Sequence, residues 1–178
     1  MSKIGKVYGD ALYELAAEEQ LEEAILEQLT QVKDLLLQNP DYQKLLDLAS
    51  VPKAQRCALL DEALRGSVEP YLLNFLKILV EKGAVGSLPD CLKEYRKRYN
   101  TAHGIIEAVA VAAVALSEQQ EAALQAKLEA MTGKTVRLTT KVDATCLGGI
   151  RLEMEGTELD GTVQARLNSL RRALAATV

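Results

Sequence analysis

The spacing of apolar residues changes once along the chain, at Gly104, and this change constrains the fold more than any other feature. Ahead of it, apolar residues recur every three to four positions, the period of a helix face. Beyond it, Ile105, Glu107, Val109, Val111 and Ala113 alternate with Ile106, Ala108, Ala110 and Ala112, the two-residue period of a strand with one larger and one smaller apolar face. Helix stripes and strand faces are buried in different ways, so the chain is expected to form two units, 1–104 and 105–178. A length of 178 residues leaves room for a core in each.

The first unit reads as six helices. Ile4, Val7, Tyr8, Ala11, Leu12, Leu15 and Ala16 mark the first; Leu21, Ala24, Ile25, Leu29, Val32 and Leu36 mark the second, with the junction near Glu19–Leu21. Asn39-Pro40 interrupts the second helix, because proline lacks an amide proton and disfavours helical geometry in the residue before it. A short third helix carries Tyr42, Leu45 and Leu46. Ser50-Val51-Pro52 opens a fourth with Cys57, Leu60 and Leu64 inward, ended by Gly66, and Glu69-Pro70 opens a fifth that ends at Gly83. The sixth follows Ser87-Leu88-Pro89, carries the stripe Leu88, Cys91, Leu92, Tyr95 and Tyr99, and stops at His103-Gly104.

In the second unit, Ser117-Glu118-Gln119-Gln120 is a capping box ahead of a helix bearing Leu124, Leu128 and Met131 and closing on Gly133. Val136, Leu138 and Val142 then alternate with Arg137, Thr139 and Lys141, and Gly149 to Met154 gives a third strand that turns at Glu155-Gly156. A last helix carries Val163, Leu167, Leu170 and Leu174. The expected class is α+β: a six-helix bundle, then a small β-α-β-β-α domain.

Few residues suggest chemistry. Gly133-Lys134-Thr135 matches the end of a P-loop, but the full motif needs a further glycine where this chain has Leu128, and here a helix enters the glycine while a strand leaves it. A helix C-cap is the expected role, and at Gly148-Gly149 a close approach of backbones at the start of a strand. His103 reads as a helix-end residue, and Glu18, Glu19, Glu22 and Glu23 as a solvated face. Lys93, Arg96, Lys97 and Arg98 form the one basic run, with Glu94 inside it. With 21 basic and 25 acidic residues the net charge is −4, which argues against nucleic acid as a partner. No catalytic residue, cofactor or metal site is expected. Cys57, Cys91 and Cys146 are widely spaced and read as reduced thiols. The longest apolar run, Ala108 to Leu116, is too short to cross a bilayer, and the opening residues lack a signal-peptide core, so a cytosolic location is expected.

Surface for partners remains. The fifth helix carries Leu72, Leu73, Phe75, Leu76, Ile78, Leu79 and Val80, with only Asn74 and Lys77 polar between them. A helix apolar on all sides must be covered on all sides. It either lies at the centre of its bundle or offers a groove to another chain's helix, and this pattern alone weighs the two equally. An unrelated helix-binding adaptor and a small enzyme also stand as alternatives.

Four segments, in order, resemble the delta subunit family of bacterial F-type ATP synthase, which includes the mitochondrial oligomycin-sensitivity-conferring protein. They are Tyr8-Gly9-Asp10-Ala11-Leu12-Tyr13-Glu14-Leu15-Ala16, Asn74 to Gly83 with Leu88-Pro89, Ala115 to Gln120, and Asp160-Gly161-Thr162-Val163-Gln164-Ala165-Arg166-Leu167. The chain departs from the family at Val142-Asp143-Ala144-Thr145-Cys146-Leu147-Gly148-Gly149, where a proline is usual after the aspartate. The resemblance implies a non-catalytic stator subunit on the cytoplasmic face of the cell membrane, peripheral and held there through its complex. It further implies that the N-terminal helix of an alpha subunit lies between the first and fifth helices, against Tyr8, Ala11, Leu12, Leu15, Asn74, Ile78 and Leu79. The smaller domain would hold the end of the b-subunit coiled coil.

Overall fold

Proline, glycine and one residue in an unusual conformation set the ends of the helices. The structure, a computed structural model, describes residues 3–48, 50–143, 146, 148–154 and 157–161. Its first helices are α1 (Lys3–Glu18), α2 (Glu22–Gln38), α3 (Pro40–Asp47), α4 (Lys53–Leu64), α5 (Pro70–Lys82) and α6 (Leu88–Ala102), with a short 3₁₀ turn at Val85–Ser87. Pro40 and Pro70 each occupy a first helical turn, where a missing N–H costs nothing. The α1–α2 junction turns through Gln20, the one non-glycine residue with positive φ (58°) among those described. Gly83 closes α5 at φ 62°, its N–H donating to the carbonyls of Leu79 and Val80.

The chain divides into two compact units, Met1–Tyr99 and Asn100–Val178. In the first, the buried side chains include Ile25, Leu29, Leu46, Leu72, Leu79 and Leu88, all at 1% exposure or less. The stripe read on α6 is buried along its whole length: Leu88, Cys91, Leu92, Tyr95 and Tyr99. Tyr95 is wholly buried and still satisfies its hydroxyl, which donates to the Glu22 carbonyl at 2.9 Å. Burial pushes the Cys91 thiol up to about 11, which keeps it protonated at neutral pH. Arg56 is also buried, its guanidinium bonded to backbone carbonyls of Leu46, Val51 and Val80.

The second unit is built on a sheet of β1 (Ile105–Ala112), β2 (Thr135–Val142), β3 (Ile150–Met154) and β4 (Thr157–Asp160), in the order β2-β1-β3-β4. β1 and β2 run parallel, as a strand–helix–strand unit through α7 (Glu118–Thr132) requires, with Ile106 opposite Val136 and Ala108 opposite Leu138. β3 and β4 add antiparallel neighbours on the other side of β1. Alanine is a poor strand former, and its place in β1 is explained by packing. Ile106, Ala108, Leu128 of α7 and Val136 form one cluster, with Leu124, Leu138, Leu152 and Met154 packed around it, so small side chains on that face leave room for the helix.

The capping box forms as read: the Gln120 N–H donates to Ser117 Oγ at 3.3 Å, and the Ser117 N–H donates to Gln120 Oε1 at 2.9 Å. Two carboxylates tie α7 to β2 at either end, Glu121 accepting from the Thr140 hydroxyl at 2.7 Å and Glu129 from the Val136 N–H at 3.1 Å.

The sheet departs from the expected β-α-β-β-α order. A fourth strand, β4, follows β3 directly, pairing Leu159 with Leu152 and Asp160 with Arg151. The expected last helix, with Val163, Leu167, Leu170 and Leu174, lies outside the described residues, as do Thr162 onward in the Asp160–Leu167 motif and Ala144, Thr145 and Leu147. Gly148 and Gly149 take φ of 136° and 87° ahead of β3, a backbone conformation that favours glycine.

Candidate functional site

α1 and α5 lie against each other in the first unit. At one end of their contact the Tyr71 hydroxyl, at the start of α5, donates to the Glu19 carboxylate just past α1. That bond, then the negative charge itself, holds the phenol above its ordinary range. The sides of α5 that looked apolar all round are now distinguished. Leu72, Phe75, Leu76, Leu79 and Val80 point into the core, Lys77 reaches Asp61 of α4 at 2.7 Å, and Asn74 and Ile78 face solvent. Ile78 is 43% exposed, unusual for so large an alkyl group on a helix otherwise sunk in a core.

The apolar stripe of α1 covers more than one face. Gly5, Gly9, Leu12 and Ala16 point inward, whereas Ile4 and Val7 are 41% and 59% exposed. Ala11 is exposed, and Tyr8 and Leu15 are half-buried. Positions 4, 7, 8, 11 and 15 follow helical spacing and so form one continuous outer strip.

The seven residues named from the sequence therefore separate. Tyr8, Ala11, Leu15, Asn74 and Ile78 retain surface for a partner. Leu12 (2% exposed) and Leu79 (0%) do not: both are core residues. Ile4 and Val7 extend the strip and were absent from the sequence-derived set. They belong to the same three-to-four spacing and are separated from the core positions only by knowing which side of α1 packs inward. Chemically, the strip is a shallow apolar surface flanked by Lys6, Glu14, Glu18 and Lys82, all exposed, which suits the apolar face of an amphipathic helix.

The tempting polar motifs resolve as structural elements. Gly133 is a left-handed C-cap (φ 67°) whose N–H donates to the Glu129 carbonyl, and the Thr135 N–H donates to the Gly104 carbonyl as β2 begins. A strand, β2, and not a helix begins directly after Lys134, so amides are not gathered there for a phosphate. Titration with ATP and magnesium should show no saturable binding at micromolar nucleotide. A stoichiometric heat abolished by Lys134→Ala would overturn this assignment. His103 is exposed in the turn that ends α6. Glu18, Glu19 and Glu23 are exposed at the α1–α2 junction, and no cluster fit to hold a metal ion occurs among the described residues. In the basic run, Arg98 pairs with Asp10 at 2.7 Å and Arg96 donates to the Thr30 hydroxyl at 3.4 Å. Among the described residues no helix is long and apolar enough to cross a membrane.

Comparison with known proteins adds a family to this geometry. The family profile described as ATP synthase delta (OSCP) subunit matches residues 4–174. The ATP synthase subunit delta of Alkaliphilus metalliredigens is 31% identical over 171 residues, spanning 96% of this chain and 95% of that protein. That of Clostridioides difficile is 30% identical over 173 residues, spanning 97% and 96%. A chain in the cryo-EM structure of the Toxoplasma gondii mitochondrial ATP synthase hexamer shares the fold, with a TM-score of 0.72 over 98% of both chains at 22% identity. Both halves of the molecule are thus accounted for together and in order, and the chain belongs to the ATP synthase delta (OSCP) subunit family.

Proposed function

We propose that this chain is a non-catalytic peripheral-stalk subunit of an F-type ATP synthase, tying the catalytic head to the membrane sector during proton-driven ATP synthesis. The observation that carries the reading is the strip of Ile4, Val7, Ala11 and Ile78, apolar surface left open on α1 and α5 in a member of this family. The strip receives the N-terminal helix of an alpha subunit. Burying a large alkyl side chain is worth up to about 1.5–3 kcal/mol, so Ile4, Val7 and Ile78 supply part of the docking energy, and the rest of the helix's contacts must offset the cost of association.

In this reading residues 1–104 form a six-helix bundle that binds the head, and residues 105–178 a separate domain that holds the end of the b subunits. A stator resists torque, which requires two separated attachments. With both engaged, each raises the effective concentration of the other. The subunit is peripheral at the cytoplasmic face of the cell membrane, retained there by its partners. Calorimetric titration of the whole chain with a synthetic peptide of the alpha-subunit N-terminal helix should give one-to-one binding, and the chain should co-purify with alpha and b subunits from native membranes. Absence of peptide binding would overturn the role given to the α1–α5 strip, and absence of both partners from the purified complex would overturn the stator assignment.

A further inference from the structure

α1 reaches its neighbour through glycine. Gly5 and Gly9, one turn apart, are both buried, and each meets α6 where a side chain would stand. A Cβ at Gly5 would fall on the Cβ of Asp90 and lie 3.1 Å from its carbonyl carbon. A Cβ at Gly9 would lie 2.6 Å from the Cys91 carbonyl oxygen and 3.0 Å from the Glu94 Cβ. The Cys91 oxygen is backbone and has no rotamer by which to withdraw. The two helices therefore approach to backbone contact, closer than any pair of side chains would permit.

Independent contacts fix the register of this seat. Arg98 Nε donates to Asp10 Oδ1 at 2.7 Å, and the Tyr13 ring stands edge-on to Tyr95 at 5.4 Å between centroids. Asp10 and Tyr13 belong to α1; Arg98 and Tyr95 belong to α6. Ile4, Val7 and Ala11 lie on other sides of the same helix, so the depth at which α1 sits on α6 sets their height relative to Ile78 of α5.

We propose that Gly5 and Gly9 are positioning residues for partner docking: by seating α1 directly on the α6 backbone they bring the outer faces of α1 and α5 into one surface that a helix can cover. This rests on the docking role given to that surface above. A methyl group at either position lifts α1, separates Ile4 and Val7 from the level of Ile78, and spoils the shape match on which an apolar interface depends.

The test uses the whole chain and the synthetic alpha-subunit N-terminal peptide, with affinity read by calorimetry and stability by thermal melting. Gly9→Ala should weaken binding about tenfold or more. Leu46→Ala, in the core at α3, serves as a control that lowers the melting temperature without moving affinity. Affinity of Gly9→Ala within about twofold of the unaltered chain, or an equal loss in Leu46→Ala, would overturn the proposal.

Should Gly9→Ala not fold, Gly5→Ala gives the same information, because the atom it strikes is itself removable. The affinity lost on Gly5→Ala should be several-fold smaller in an Asp90→Gly background, which lacks the opposing Cβ, and an undiminished loss would overturn the seating. An unaltered chain that does not bind the peptide would instead remove the docking surface itself, and the proposal with it.

Discussion

Replacing Ile78 by aspartate should weaken binding of the alpha-subunit peptide by about 2–4 kcal/mol, roughly 30- to 1,000-fold, while leaving the free protein folded. Ile78 is 43% exposed on α5, so in the free chain the new carboxylate remains in water and lies one turn before the exposed Lys82, an arrangement that is mildly favourable on a helix. In the complex the same carboxylate must be dehydrated where an alkyl group used to pack, a cost that Lys82 at the rim of the surface offsets only in part. The neighbouring position gives the opposite result. Leu79 is fully buried, and Leu79→Ala removes core volume at a cost of about 2–5 kcal/mol in stability. Melting curves and peptide titrations on both variants separate docking surface from core. A collapsed melt for Ile78→Asp would place that side chain in the core, and unchanged affinity with an intact melt would remove it from the interface.

That two adjacent residues of one helix differ so widely in exposure shows how far periodicity reaches. The pattern on α5 established an apolar helix but not which side its neighbours cover, because every face satisfied the same criterion. On α1 the apolar residues span two adjacent faces, and those nearest α6 are the least hydrophobic: Gly5 and Gly9, which carry no side chain to register in any pattern. Close packing there is visible only once α6 is in place.

The clearest sequence signals were those whose physics is local. The capping box at Ser117 and Gln120, the proline and glycine at the ends of α5, and the strand period after Gly104 each depend on a few neighbouring residues. β4 went unread for a complementary reason. Thr157-Glu158-Leu159-Asp160 is short and half acidic, and as one of the two edge strands among the described residues it is held by its hydrogen bonds to β3 rather than by an apolar run. The turn expected at Glu155-Gly156, which lies outside the described residues, was the available clue, since a reversal of the chain calls for a returning strand.

Arg56 was the residue least accessible to sequence reasoning, and its removal should have the largest effect on stability of any single polar side chain described. Nothing in Lys53-Ala54-Gln55-Arg56-Cys57 marks a core position, yet Arg56 is only 5% exposed. Its Nη1 donates to the Leu46 carbonyl at 2.8 Å and the Val80 carbonyl at 3.1 Å, and its Nε to the Val51 carbonyl at 3.1 Å. Leu46 and Val80 lie in the last turns of α3 and α5, where the helix dipole is negative; the Val80 carbonyl also accepts from the Gly83 N–H at 3.1 Å. One guanidinium thus caps two helix ends at once, and burial of its charge is offset by three acceptors in a geometry suited to a planar fork.

Arg56→Met keeps most of the apolar stem and deletes every guanidinium donor, taking from the Leu46 and Val51 carbonyls the bonds they accept from it, while Val80 keeps the Gly83 N–H. The expected cost is about 3 kcal/mol or more, a large part of the ~5–15 kcal/mol that holds a domain together. For a unit of this size that corresponds to a fall of more than about 10 °C in melting temperature. Because the site is buried, the fall should persist in high salt, where exposed pairs such as Lys44 with Asp41 are screened. Arg56→Lys restores charge without the fork and should recover only part of the loss. A melting temperature for Arg56→Met within about 2 °C of the unaltered protein would show that the carbonyls are satisfied without the guanidinium, and the role of Arg56 as a shared helix cap would have to be withdrawn.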